Sequence, residues 1–286
     1  MVRNPFVAGQ FYEASFDGLD KQISECFSSK FGPGSLPDKK RSRNVFGIIA
    51  PHAGYMFSGP CQAWAYKEIA ESRFPDLFIM LGLSHSGFGS CVSLEDWETP
   101  FGVLNADKEF IKVLMINSGL KQNENAHSHE HSIEVQLPFL QFVNKEHLPQ
   151  IRIAPIIVSE NYDRIAEAIA KTIEETGKDV QIIASSDFTH YGFNYGYFPF
   201  SSNVRENMRK LDSNAIEQIK KLSAYGFLSY IEETGATICG KMPIAALLEI
   251  SSLMGFKKAK LLHYYTSGDI VNDYGSAVGY AAVSIE

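Results

Sequence analysis

Residues Val45–Tyr55 read V-F-G-I-I-A-P-H-A-G-Y. The stretch Val45–Ala50 is a continuous apolar run, the pattern of a strand covered on both faces, as strands of parallel sheets are. It ends abruptly in Pro51-His52-Ala53-Gly54-Tyr55. Working outward, the same arrangement occurs twice more. Leu77–Leu83 (L-F-I-M-L-G-L) runs into Ser84-His85-Ser86-Gly87, and Val180–Ser185 (V-Q-I-I-A-S) runs into Ser186-Asp187-Phe188-Thr189-His190-Tyr191-Gly192. Ile151–Val158 reads as a further strand, and Ala259–Tyr265 and Ser276–Ile285 as closing strands. Helical patterns fall between them at Gly59–Ser72, Asp107–Asn117, Ser132–Val143, Tyr162–Glu175, Asn203–Lys221 and Pro243–Met254. This alternation predicts an α/β fold with a central, mostly parallel or mixed sheet flanked by helices. The proline- and glycine-bearing stretch Gly32–Arg43 reads as an exposed loop. It lies too near the start to separate two domains, so residues 1–286 are expected to form a single domain with an N-terminal helix, Gly18–Ser29, packed onto it.

Composition excludes several classes. The 286 residues are 45% hydrophobic and 12% aromatic, too apolar for a disordered chain. Twenty-six basic against 33 acidic side chains give a net charge of −7, which argues against nucleic acid as a partner. The apolar runs fall short of the roughly 20 residues that cross a bilayer, so no membrane partner is expected. The first residues, M-V-R-N-P-F-V-A-G-Q-F-Y, lack the apolar run of a signal peptide. Four scattered cysteines with no C-x-x-C pair read as reduced thiols, and the expected location is cytoplasmic.

The polar residues that follow the strands carry the chemistry. Ligands of open α/β sheets sit beyond the carboxyl ends of the strands. If the three histidine turns follow parallel neighbours, His52, His85, Asp187 and His190 converge on one cleft. A histidine in such a turn also serves simply to bond nearby backbone. In Ala126-His127-Ser128-His129-Glu130-His131-Ser132-Ile133-Glu134, alternate histidines suggest a metal. Here His131 and Glu134 are placed near the site, and His127 and His129 on the surface. Cys26, Cys61 and Cys91 read as small buried residues. Cys239 precedes a helix, where the dipole and Lys241 would lower a thiol pKa. Histidine and thiolate donors suit zinc, copper or ferrous iron. Asp187 and His190, three residues apart, suit acid–base work in which one orients the other. No phosphate-binding glycine loop, G-x-S-x-G elbow or H-E-x-x-H motif occurs.

Ordered matches span nearly the whole chain: R-N-P-F-V-A-G-Q-F-Y at Arg3–Tyr12, A-P-H-A-G-Y-M-F-S-G at Ala50–Gly59, L-G-L-S-H at Leu81–His85, E-H-S-I-E-V-Q-L-P at Glu130–Pro138, S-S-D-F-T-H-Y-G at Ser185–Gly192 and C-G-K-M-P at Cys239–Pro243. In these the sequence resembles the Memo family, also described as protein B of the AmmeMemoRadiSam system. The resemblance implies a fold like that of class III extradiol dioxygenases, whose non-haem iron is held by two histidines and a carboxylate. It further implies metal-ligand positions at His52, His85 and Cys239, with iron or copper as the expected metal and zinc as a third option. His190 and Asp187 match the family's other pocket residues. Cys239 stands where the dioxygenases have a carboxylate, so their activity does not follow from the fold. Family members in animals are linked to motility, phosphorylated receptor peptides and copper- or iron-dependent redox chemistry.

Two functions are therefore open. One is a metal-dependent redox enzyme acting on a small molecule or peptide, with His190 moving a proton, Asp187 orienting it, and Tyr55 and Tyr191 lining the pocket. The other is a non-catalytic binding module that holds a peptide, including a phosphopeptide, against protonated His52, His85 and His190. A scaffold without chemistry is the remaining option. The aromatic run Gly192–Phe200 reads as a lid, as core, or as a contact between subunits of a homo-oligomer.

Overall fold

Successive residues of the buried runs point to opposite faces of one sheet, and that alternation builds two cores. Ile49, Ile79, Leu81 and Ile182 pack with Phe110, Ile169 and Leu247. Their chain neighbours Ile48, Phe78, Met80 and Ile183 pack with Leu19, Tyr66 and Phe139 on the other side. Helices Lys108–Ser118, Tyr162–Thr176 and Lys241–Leu253 cover the first face. Helices Phe16–Ser28, Tyr55–Glu71 and Gln136–Val143 cover the second. Each fully buried aliphatic or aromatic side chain contributes about 1.5–3 kcal/mol, so this two-sided coverage is the main source of stability. The computed structural model describes residues 1–38 and 40–286.

The result is a single α/β domain with a mixed sheet. Its centre is four parallel strands in the order Arg152–Ile157, Leu77–Gly82, Val180–Ser185 and Gly47–Ala50. Ser276–Ile285 joins antiparallel to Gly47–Ala50, and Ala259–Thr266 antiparallel to Ser276–Ile285. The three strands that precede the histidine turns are thus adjacent and parallel, which meets the condition for their convergence. Among the described residues no helix is long and apolar enough to cross a membrane.

Several boundaries move for local reasons. The helix expected from Gly59 begins at Tyr55, because the Tyr55 N–H is drawn to the Phe11 carbonyl at 2.8 Å directly after the Gly54 cap. The helix expected from Ser132 begins at Gln136, which places Pro138 in the first turn, where a missing N–H costs nothing. A helix at Ala224–Thr234, capped by the Ser223 side chain on the Gly226 N–H, and strands Asp96–Thr99 and Gly102–Ala106 were not evident in the sequence. In the loop Gly32–Arg43, Lys39 lies outside the described residues. The rest is tied down: the Asp38 N–H donates to Glu71 at 3.0 Å, and Arg41 to Asn144 at 3.0 Å.

The turn that carries Cys239 lies hard against the end of strand Val180–Ser185. A Cβ on Gly240 would sit 2.4 Å from the Ser185 carbonyl oxygen and 2.5 Å from the Ser186 Cβ. Gly240→Ala is therefore expected to cost about 1–3 kcal/mol. Urea denaturation measures it; a loss below about 0.5 kcal/mol would mean that the turn is free to move away.

Candidate metal centre

The hydrogen-bond ladder sets the ends of the three strands at one level. Ala50 pairs with Ser185, and Leu81 with Ala184. The turns that follow consequently meet. The Asp187 carboxylate accepts the backbone N–H groups of His52 at 2.8 Å and Ala53 at 3.4 Å, which ties the first turn to the third. The His52 ring is buried, with Nδ1 2.9 Å from Ser185 Oγ and Nε2 3.3 Å from Cys239 Sγ. Cys239 arrives from a distant segment through an antiparallel bridge between Thr189 and Ile238 and a 3.0 Å bond from the Gly240 N–H to Ser186 Oγ.

His85 is held by Glu130. That carboxylate accepts the His85 N–H at 2.7 Å, the ring Nδ1 at 2.9 Å and the Ser132 N–H at 2.8 Å. Carboxylate–Nδ1 contacts of this kind orient a metal-binding imidazole and leave Nε2 free. At His190, Nδ1 lies 3.0 Å from the carbonyl oxygens of both Phe188 and Thr237. Carbonyls only accept, so Nδ1 carries the hydrogen and Nε2 offers its lone pair. Thr237 Oγ1 accepts the His190 N–H at 2.9 Å and donates to the His190 carbonyl at 2.7 Å.

Two overlapping donor sets share His52. One is His52, His85 and His131; the other is His52, Asp187 and Cys239; within each, the donor atoms lie within 4.8 Å of one another. Ring orientation discriminates among them. A metal lies near the plane of each imidazole that binds it. His85 and His131 are stacked, centroids 4.4 Å apart and planes only 13° apart, so the two planes meet far beyond the roughly 2 Å reach of a metal–nitrogen bond. His52 and His85 are 5.5 Å apart at 86°, and such planes do intersect close by. His52 stands the same way to His131, centroids 5.5 Å apart at 81°, so either of the two stacked rings suits one ion with His52 but not both. Cys239 lies beside His52 in the other set, and neither set joins it to His85.

Burial governs the charges. It drives the pKa of His52 well below its usual value, helped by the other imidazoles, and that of His131 down to about 4. Burial opposes ionisation of Glu130, but the hydrogen bonds from His85 outweigh it and hold the carboxyl at about 2. Burial raises Asp187, against the pull of His190 and the His52 N–H. The Cys239 thiol is raised by burial and by Asp187. This corrects the expectation of a lowered thiol pKa: the helix N-terminus acts there, but desolvation and the neighbouring carboxyl are stronger.

A cavity of about 450 Å³ opens over the imidazoles and Asp187; Glu130 and Cys239 are not among its lining residues. His52, His85, His131, Asp187 and His190 line one side; Phe11, Phe57, Tyr195, Val271, Val278 and Tyr280 line much of the rest. Three sequence assignments fall elsewhere. Tyr55 is buried in the second core and donates to the Val135 carbonyl at 2.7 Å. Tyr191 is buried against Phe200 and donates to its carbonyl at 2.7 Å. Glu134 is fully buried and accepts from Arg3 at 2.8 Å, from the Phe6 and Val7 N–H groups at 2.9 Å each, and from the Tyr12 hydroxyl at 2.7 Å. It fastens the N-terminal segment that brings Phe11 to the cavity. His129 is exposed, as expected, but His127 is fully buried beside Trp97 and Cys91, with its pKa lowered to about 3 by burial. Arg3 closes it in by bonding the His127 carbonyl at 2.7 Å.

Sequence reasoning pointed to Tyr195 only within the aromatic run Gly192–Phe200, and it missed Glu130, Tyr280 and Asp212. The last sits under the His190 turn, accepts from Thr189 Oγ1 at 2.5 Å and from the Tyr264 hydroxyl at 2.7 Å, and is raised to about 6 by burial. Only for Glu130 was there a signal, a carboxylate directly beside His131; the others meet the site through long-range packing.

A sequence model of the Memo family, described as "Memo-like protein", matches residues 3–284. A MEMO1 family protein of Methanopyrus kandleri is 39% identical over 292 aligned residues, covering 99% of this chain and 98% of that protein. One from Methanothermobacter thermautotrophicus is 38% identical over 292 residues, covering 99% and 100%. One from Desulfurococcus amylolyticus is 39% identical over 291 residues, covering 98% of each. The chain belongs to the Memo family.

Removal of Glu134 tests the reassignment of that residue. Glu134→Ala leaves Arg3 buried without its counter-ion and is expected to destabilise the fold by about 3–5 kcal/mol, read by urea denaturation. A residue that served a ligand alone would leave stability nearly unchanged.

Proposed function

We propose that this protein is a metal-dependent redox enzyme whose centre is His52, His85 and Cys239. The observation that carries the reading is the pair of perpendicular imidazoles, His52 and His85, each engaged through Nδ1, with the Cys239 sulfur 3.3 Å from the His52 Nε2. That separation is of the size expected for two ligands of one ion with bonds of about 2.0–2.3 Å. This donor set fits iron, copper or zinc. When bound, such an ion supplies Lewis acidity and, for iron or copper, one-electron chemistry, with positions left for substrate.

The chain's own residues supply the rest. Nε2 of His190 accepts a proton from a molecule in the cavity and returns it. The Asp187 carboxyl, expected to orient His190, instead holds the His52 turn in place through two backbone N–H groups, while the carbonyls of Phe188 and Thr237 orient His190. The walls from Phe11, Phe57, Tyr195 and Tyr280 exclude water and suit a small, partly apolar substrate. A phosphopeptide is less well served. No lysine or arginine is among the residues lining the cavity, and burial keeps His52 and His131 uncharged at neutral pH.

Anaerobic titration with cobalt(II) is the direct test. One ion per chain should bind with a thiolate-to-metal charge-transfer band that disappears in Cys239→Ser. The thiol must lose its proton to bind, and its raised pKa keeps it protonated through the neutral range. His52 is already neutral there and releases nothing. The thiol alone should therefore release about one proton on binding, and affinity should rise at least about tenfold per pH unit. No band and no proton release with cobalt, iron, copper or zinc would overturn the reading.

A further inference from the structure

We propose that a buried hydrogen-bond chain, Tyr66–Gln136–Ser185, fixes the tautomer of His52, and that Ser185 and Gln136 are positioning residues for the centre. The consequence for metal binding rests on the reading above; the tautomer itself does not.

Ser185 Oγ has three neighbours. It lies 2.6 Å from the Ser132 carbonyl, 2.9 Å from Gln136 Nε2 and 2.9 Å from His52 Nδ1. A carbonyl only accepts, so the single hydroxyl hydrogen goes to Ser132. An amide nitrogen only donates, so Gln136 occupies one lone pair. The remaining lone pair faces His52 Nδ1, which must therefore carry the hydrogen.

The orientation of the Gln136 amide is set independently. Its Nε2 also lies 2.9 Å from the Pro51 carbonyl, and its Oε1 accepts from the Tyr66 hydroxyl at 3.1 Å. A flipped amide would set oxygen against the Pro51 carbonyl. Tyr66, Gln136, Ser132, Ser185 and His52 are all buried, so water cannot replace a lost partner.

Histidine in water prefers its hydrogen on Nε2. The chain inverts that preference and leaves the Nε2 lone pair facing Cys239 Sγ at 3.3 Å. His52 is thereby prepared for ligation before any ion arrives, as His85 is through Glu130. A carboxylate does this at the partly exposed ring, whereas an uncharged hydroxyl and amide do it at the fully buried one.

The test is ¹⁵N NMR of ring-labelled histidine in the metal-free protein at neutral pH, with His52→Gln identifying the His52 signals. The expected spectrum has protonated Nδ1 and unprotonated Nε2 at His52; hydrogen on Nε2 would overturn the proposal without recourse to any variant. In Ser185→Ala the hydrogen should move to Nε2, and cobalt(II) affinity should fall about 10–100-fold. Retention of Nδ1–H with affinity within about twofold would also overturn it. Should the wild-type protein bind no metal while its spectrum shows Nδ1–H, the positioning chain stands and the metal centre falls.

Discussion

The register between adjacent parallel strands is the constraint on which the site depends. Ala50 faces Ser185, and Ala184 faces Leu81, so three chain segments reach the same edge of the sheet together. Their side chains beyond that edge have no freedom to disperse. Asp187 converts proximity into a fixed arrangement by taking two N–H groups of the neighbouring turn. Cys239 depends on the same frame, since its own turn is bonded to Ser186 and bridged to Thr189. A shift of one residue in any of these pairings would turn the following side chain to the other face of the sheet.

What could be read from the sequence follows from how local the signal is. An apolar run followed by a histidine turn is a short-range pattern, and it located His52, His85, Asp187 and His190, along with the central strands. Cys239 was visible as a helix-start thiol and through its family motif. The failures share a different cause. The partner of Glu134 is Arg3, and the partner of Glu130 is His85, neither of which is near in the chain. Tyr55 carries a polar tip, but as the first residue of its helix it turns inward and spends its hydroxyl on Val135. His127 looked like surface because it sits in a polar run, yet Arg3 folds over that run and seals it.

The buried carboxylates show how the fold manages charge. Glu134 has a guanidinium, Glu130 has an imidazole and two N–H groups, and Asp212 has two hydroxyls and an N–H. The Asp187 carboxyl accepts backbone N–H groups, those of His52 and Ala53, and burial raises its pKa against them. The Cys239 thiol next to it rises through burial first and then through the neighbouring Asp187 carboxyl. Each group opposes ionisation of the other.

A divalent cation reverses that relation, because it is the largest local charge wherever it binds and it favours both anions at once. Without it, desolvation keeps the Cys239 thiol protonated and His52 and His131 neutral, and it opposes ionisation of Asp187. The same burial that penalises an isolated thiolate strengthens the attraction of an ion for that thiolate. Desolvation at this edge of the sheet thus acts in two directions: it suppresses charge in the free protein and rewards it when an ion is present. That dual effect distinguishes Cys239 from the buried Glu134, whose counter-charge, Arg3, is built permanently into the chain.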